Sequence, residues 1–300
     1  MNRLQAAVAS LLLIAAPARA LDCAPAGAGR AELEALRAGG FELTDDVRRQ
    51  ALALGLVDCL GDPDPAIRDG IAFEALQRWL RADAVALDTR QAMLPRLLAA
   101  SDPAAPDASG VHRPFAILVL SEVARTDRLH PWMDDASRGA VLERAVGFLT
   151  TLRDYRGFDG REGWRHGVAH GADLVTQLVL NPALGRAEVD RLMAAVASQV
   201  IPPGEHAYVE GEPERLARAL LYAAQRGLHS ADDWQAWLAR LMEAPPGLPW
   251  SETYSRREIL IRRHNLAAFL YAAYVNVQEG GQPGFEVLLP GLRAALRELP

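Results

Sequence analysis

Asp62-Pro-Asp-Pro-Ala-Ile-Arg-Asp-Gly-Ile-Ala-Phe-Glu-Ala-Leu76 decides how the rest of the chain reads. Asp62-Pro-Asp-Pro65 stops one element and starts the next, because proline suits the first turn of a helix and an aspartate before it can cap the free amides. The residues that follow predict a helix over 65–82. The same grammar repeats outward. Val and Ile do not cluster in alternating runs, whereas Ala, Leu, Arg and Glu dominate, which favours helix almost everywhere. Helices are predicted at 30–38, 44–60, 65–82, 88–100, 113–127, 136–153, 162–180, 186–200, 212–227, 231–243, 252–278 and 284–297. Ser101–Gly110, Asn181-Pro182, Ile201-Pro-Pro-Gly204 and Ala244-Pro-Pro-Gly-Leu-Pro249 are the breaks between them. The expected class is all-α.

Consecutive helices of this length with short turns predict stacked antiparallel hairpins. The 62–76 stretch resembles one unit of a HEAT-type repeat, although no strict repeat recurs, so the expected architecture is an irregular α-solenoid. The alternative is an ordinary globular helical domain.

Residues 1–20 read as a signal peptide. Arg3 provides a positive start, Ala6–Ala16 is an apolar run, Pro17 breaks it, and Ala18-Arg19-Ala20 fits small-x-small cleavage. The run is well short of the roughly 20 residues that cross a bilayer. No later apolar run escapes interruption by Arg, Asp or Glu. The expectation is therefore a periplasmic or secreted protein, residues 21–300 forming a single helical domain, with no transmembrane segment after cleavage. The formal net charge is −6, and −8 once Arg3 and Arg19 are gone. An acidic surface argues against a nucleic-acid partner. All 32 basic residues are arginine, which excludes lysine-based covalent chemistry. Cys23 and Cys59 follow the cleavage point, and in an oxidising compartment they predict a disulfide. Free thiols are the alternative. A metal or redox pair fits poorly with their spacing.

The strongest site signal is Gly163-Trp-Arg-His-Gly-Val-Ala-His-Gly-Ala-Asp173. On a helix, His166, His170, Asp173 and Gln177 fall within about 60° of one another. Val168, Val175, Leu178, Val179 and Trp164 take the opposite, apolar stripe, where Trp164 braces the helix. Asp159-Gly-Arg-Glu162 has capping-box spacing, which predicts a helix start near Gly160 and places His166 in its second turn. Gly167 and Gly171, four apart, predict close approach by a neighbouring helix. His166 and His170 are about 6 Å apart along the axis and suit two ligands of a divalent metal. Asp173 is too far along for the same ion and is better placed to accept from the His170 ring. Further ligands would have to come from His264, Glu210 or Asp154. The other readings are a buried polar network, a ligand site, and metal-free acid–base catalysis.

Asp154-Tyr-Arg-Gly-Phe158 and Gly163-Trp-Arg-His-Gly-Val-Ala-His-Gly-Ala-Asp-Leu174 together resemble the signature of a bacterial family known as domain of unknown function 2785. Asn265-Leu-Ala-Ala-Phe-Leu-Tyr-Ala-Ala-Tyr274 is similar to that family's last conserved helix, and the resemblance spans about residues 60–280. It implies a helical, repeat-like fold and no activity.

Arg263 and His264, in the long helix after residue 252, are candidates to face the histidine stripe. Glu252–Arg256 and Glu258–Arg262 have the spacing of ordinary helix ion pairs. The acids of Tyr208–Arg215 suit a helix N-terminus. His112, His130 and His229 read as surface. Trp79, Trp132, Trp234, Trp237 and Trp250 read as packing residues. Hydrolase elbows, phosphate loops, dinucleotide fingerprints and zincin motifs are missing from the sequence. The leading expectation is a module binding a small-molecule or protein ligand at His166, His170, Asp173, Gln177 and Trp164, with Arg263 or His264 opposite. The alternative is a metal-dependent hydrolase with His166 and His170 as ligands. The sequence does not decide whether the protein is an enzyme.

Overall fold

The computed structural model describes residues 23–299. The leader at 1–20 lies outside the described residues. Among the described residues thirteen α-helical segments follow one another: α1 (Arg30–Ala38), α2 (Asp46–Gly55), α3 (Pro65–Ile67), α4 (Glu74–Arg81), α5 (Leu87–Ala100), α6 (His112–Leu129), α7 (Asp135–Thr151), α8 (Gly167–Val179), α9 (Arg186–Val200), α10 (Glu212–Gln225), α11 (Ala231–Leu241), α12 (Arg257–Glu279) and α13 (Leu289–Arg297). The fold is all-α. Its only strands among the described residues are β1 (Phe158–Asp159) and β2 (Gly163–Trp164), a minimal antiparallel hairpin.

The helices pack in two rows. α4, α6, α8, α10 and α12 lie side by side in chain order. Helix α7 packs on α5 and α9, and α11 on α13, forming the second row. Antiparallel neighbours joined by short turns give this pattern, since each helix can bury one stripe against its own row and another against the facing row. The buried core is continuous from Ala28 to Ala295. Trp79, Trp234 and Trp237 lie within it, and Trp132 and Trp250 pack against it, as expected.

Two expectations are refined and a third is met. The helix predicted at 65–82 contains a π-helical stretch, Arg68–Phe73, between α3 and α4. Such a stretch inserts a residue into the turn and re-aims the side chains around it, and it is frequent at functional sites. His229 is buried, not on the surface: Nε2 lies 2.8 Å from Asp190 Oδ1 and the ring rests against Trp234. The Cys23–Cys59 disulfide is present, with Cα atoms 5.3 Å apart, and ties the first described residue to the short helix Asp58–Gly61.

Helix α8 occupies the middle of its row, between α6 and α10, and backs onto α7 and α9. Gly167 and Gly171 make the close approach of α7 possible. A Cβ on Gly167 would meet Leu152 at 3.2 Å, and one on Gly171 would overlap the buried Leu149. Gly171→Ala is expected to cost about 1–2 kcal/mol in urea unfolding, because overpacking of about 1–3 kcal/mol exceeds the roughly 1 kcal/mol gained in helix propensity. A variant as stable as wild type would show that α7 yields freely.

Candidate functional site

The segment before α8 departs most from expectation. Asp159 Oδ1 does accept from the amides of Arg161 (2.8 Å) and Glu162 (3.0 Å), as the capping spacing suggests. Those bonds close a hairpin turn and do not start a helix. Phe158 pairs with Trp164 and Asp159 with Gly163, and Gly163 leaves the turn at φ +74°. Only glycine adopts that conformation freely. A Cβ there would also meet Pro65 at 2.6 Å.

Arg68 and Asp69 fix the hairpin to the start of the helical run. The Arg68 side chain, 1% exposed, donates to the carbonyls of Asp62 (3.1 Å) and Glu162 (2.5 Å). It lies 5.0 Å over the Phe115 ring and is paired with Asp69 at 2.7 Å. Asp69 in turn accepts from the Trp164 amide at 3.2 Å.

Helix α8 therefore begins at Gly167, and His166 is its N-cap, not a second-turn residue. Its φ is +46°, a left-handed conformation that costs a non-glycine residue about 1 kcal/mol or more. The strained backbone turns the imidazole into the same cleft that His170, Asp173, Gln177 and Thr176 reach from one face of α8. The sequence stripe thus lines one cavity, although His166 arrives there by a different backbone route. Trp164 is not on the apolar stripe. It is 37% exposed, lines the cleft and stacks on His166 with ring centres 4.7 Å apart.

The cleft has a volume of about 760 Å³. Asp69, Phe73, Gln77 and Arg81 come from the Arg68–Arg81 run, Phe115, Leu118, Ser121, Glu122 and Arg128 from α6, and Arg215, Arg218 and Tyr222 from α10. Glu210 enters from the loop before α10, with Glu212 beneath His166. That loop is held by Asn265 of α12, which is fully buried. Its Nδ2 donates to the His206 carbonyl at 2.9 Å and its Oδ1 accepts from the Tyr208 amide at 3.0 Å.

The histidines are tuned by burial. His166 is pushed down to about 4 by burial and then by the Arg215 charge, while the Glu210 backbone carbonyl favours its charged form. His170 is pushed down to about 3 by burial, next by His166. Both are neutral near pH 7. His170 Nδ1 donates to the Pro114 carbonyl at 3.2 Å, and its ring meets Phe115 edge to face. Asp173 does not orient His170, as the sequence suggested. It is paired with Arg215, and Arg218 lies 3.8 Å away. These two guanidiniums lie on α10, a helix whose position against α8 the sequence did not reveal.

Glu212 lies 3.7 Å from His166 Nε2. Its carboxyl is 99% buried and burial raises it to about 7. One oxygen accepts from the Glu210 amide at 3.0 Å. The other oxygen, His166 Nε2 and Glu210 Oε2 have no well-formed hydrogen bond, and the neighbouring Glu210 carboxyl further favours the protonated form of Glu212. Buried polar atoms without partners thus gather on Glu210 of the loop before α10, on Glu212 at the first position of α10 and on His166, which they face, and His206 Nε2 on the same loop is a fourth. Natural structures leave few such atoms, and water or ligand commonly completes them.

Other candidates fall elsewhere. His264 is exposed, with Nε2 3.4 Å from the Tyr208 carbonyl, and neither it nor Arg263 lines this cleft. Arg256 and Arg262 form the expected helix pairs with Glu252 (3.1 Å) and Glu258 (3.5 Å). Asp154 lies on a separate hollow and is bound to Arg156. Among the described residues no group of three or more His, Cys, Asp and Glu side chains is arranged to hold a metal ion. The third ligand required by the His166–His170 metal reading is thus not found there.

Sequence reasoning missed Glu212 as a buried group, together with Arg68, Asp69, Glu122 and Arg128. Glu212 is embedded in Glu210-Gly-Glu-Pro-Glu214, which looks like an exposed acidic helix start. The proline directly after it, which packs buried at the helix start, was the available signal.

An all-α chain with a polar cleft built around a strained histidine is the class that fold and site define. The family model described as "Protein of unknown function (DUF2785)" matches residues 104–275, more than half of the chain, and the protein belongs to that family. No curated protein matches it.

Proposed function

We propose that the cleft binds a small polar ligand. The carrying observation is the gathering of three buried polar atoms without partners, on His166, Glu210 and Glu212, beside an aromatic face on Trp164. Such a wall offers a flat apolar surface for a ring and hydrogen-bonding groups at its edge. His166, His170, Asp173, Gln177 and Trp164 are its binding residues, with Asp173 acting through Arg215. The strain at His166 supports this reading, since left-handed non-glycine residues gather at ligand sites. The two-row packing supports an irregular, HEAT-like solenoid in one domain. The leader motif and the disulfide support export to an oxidising compartment. Among the described residues no helix is long and apolar enough to cross a membrane.

Proton transfer is a second reading, favoured by one observation. Glu212, held near 7 beside a neutral His166, can give or take a proton at neutral pH.

His166→Gly separates function from structure. It relieves the left-handed backbone and removes the imidazole, so the melting temperature should stay within a few degrees of wild type. The probe is a panel of polar metabolites (sugars, sugar acids, amino acids and phosphorylated compounds) screened by thermal shift. At least one compound should stabilise the wild type and lose tenfold or more in affinity with the variant. A panel in which every stabilising compound acts equally on both proteins would overturn the reading, as would a panel with none.

A further inference from the structure

We infer that the end of the cleft away from His166 seats an anionic group of the ligand, a carboxylate or a phosphate, with Arg128 as its main donor. This rests on the cleft being a ligand site.

The chain is acidic overall, with formal net charge −6, yet Arg81, Arg128, Arg215 and Arg218 all line this cleft. Three of them have carboxylates. Arg81 forks onto Glu122 with Nε–O distances of 2.9 and 3.1 Å, Arg215 is paired with Asp173, and Arg218 lies 3.8 Å from the same Asp173. Arg128 is different. Its Nε donates to Gln177 Oε1 at 3.1 Å, and no carboxylate among the described residues pairs with its guanidinium. It is only partly exposed, and the nearby Arg125 repels it from the preceding turn of α6. Partly burying a guanidinium next to a second cation is unfavourable, and an anion bound there offsets it.

The hydrogen bond to Gln177 has a geometric consequence. It fixes the plane of the guanidinium through Nε and leaves both terminal nitrogens for a two-point grip on a planar carboxylate or a phosphate. Tyr222 of α10 lies close to Arg128, and Arg218, one turn before it, lines the same cleft beside Asp173. The neighbouring hollow of about 620 Å³ makes the contrast. There Arg113 is engaged by the carbonyls of Asp102, Pro103 and Ala105, and Arg144 by Asp102. Arg153, the third arginine there, donates to the carbonyls of Thr150 and Leu152 and is exposed to water, where a cation needs no partner. Gln177 is eleven residues beyond His166, about 16 Å along the helix. A single sugar acid or sugar phosphate therefore occupies the Arg128 end, with its uncharged part pointing toward His170, and only a longer ligand reaches Trp164 and His166 as well.

Glucose, glucuronate, glucose 6-phosphate and inorganic phosphate test this on the full mature protein by calorimetric titration at low ionic strength. Glucuronate, glucose 6-phosphate or both should bind at least tenfold more tightly than glucose, and which of them does so identifies the anion. Arg128→Gln should remove that advantage, lowering affinity for the anionic sugar tenfold or more, while its melting temperature stays at or above that of wild type. Added salt should weaken wild-type binding and affect the variant little. Arg218→Gln, a second variant in the same cleft, should produce a smaller loss of the same kind. Glucose bound as tightly as its anionic counterparts, unaffected by Arg128→Gln, would overturn the anion seat and leave the cleft reading intact. Anion binding that survives Arg128→Gln but is lost in His166→Gly would overturn it too. Binding of none of the four probes would overturn the anion seat alone, because the metabolite panel tests the cleft independently.

Discussion

Arg68→Met is expected to lower stability by about 3–5 kcal/mol and to release the hairpin that carries Trp164. The magnitude follows from what the guanidinium holds. It is essentially fully buried, yet it satisfies the carbonyls of Asp62 and Glu162, neutralises Asp69 and covers the Phe115 ring. Methionine can fill the space, but two carbonyls lose a donor and Asp69 becomes a half-buried charge without its cation. Asp69 is already pushed upward by burial, with Arg68 the chief opposing influence. Adding Asp69→Asn to the Arg68→Met variant should thus recover part of the loss. Urea unfolding measures the stability, and trypsin nicking after Arg161 reports on the hairpin. A loss below about 1 kcal/mol with an uncut hairpin would mean that the clamp is not what positions the site. Because Trp164 and His166 lie immediately downstream of the clamp, ligand binding should fail even at temperatures where the variant remains folded.

The contrast between Arg68 and His170 shows what a sequence can reveal. The His170–Asp173–Gln177 face was readable because helix periodicity is local: residues three and four apart share a stripe whatever surrounds them. The same holds for the helix pairs Glu252–Arg256 and Glu258–Arg262, and for the glycines that admit α7. The helices read at about 30–38 and 186–200 coincide with α1 (Arg30–Ala38) and α9 (Arg186–Val200). His166 was placed on the right wall for the wrong reason. An Asp followed three residues later by Glu can cap a helix or close a hairpin, and the choice was made by Arg68, some 95 residues upstream. No local pattern announces a contact of that range. Arg215, which takes Asp173 away from His170, is 42 residues from it, and the Asn265 bridge that brings Glu212 under the imidazole spans 59 residues. The elements were legible, whereas the pairing between rows, which determines the chemistry of the cleft, was not.

Glu212→Gln should make the protein more stable than wild type above pH 7, by on the order of 3 kcal/mol, with the advantage vanishing near pH 4.5. The sign follows from burial. In the unfolded chain this carboxyl ionises near 4.5, while in the fold it keeps its proton to about 7. Its contribution is complete below 4.5 and is lost as pH rises through 7. His166 and His170 act in the opposite sense. Their folded values of about 4 and 3 lie below the unfolded 6.5, so their contribution is complete above 6.5 and is lost as pH falls through 4 and 3. Of these three groups, the two histidines outweigh the one acid between 4.5 and 6.5, and their joint contribution rises with pH. Above 6.5 only Glu212 among them still titrates, and that contribution declines until about 7. Glutamine removes that decline. Its oxygen can keep the bond from the Glu210 amide, and its amide can donate to His166 Nε2, which has no partner in the wild type. Denaturation midpoints at half-unit steps from pH 4 to 9 measure the difference between the two proteins. A difference that does not change with pH would show that Glu212 ionises in the fold as it does in the unfolded chain, near 4.5. If the pH dependence is as expected, the same variant divides the two functional readings. A carboxylic acid kept at the edge of ionisation inside a binding cleft costs the fold stability that an amide would restore. Ligand affinity retained in Glu212→Gln, with conversion of that ligand abolished, would assign that cost to proton transfer. Affinity lost along with the carboxyl would assign it to recognition.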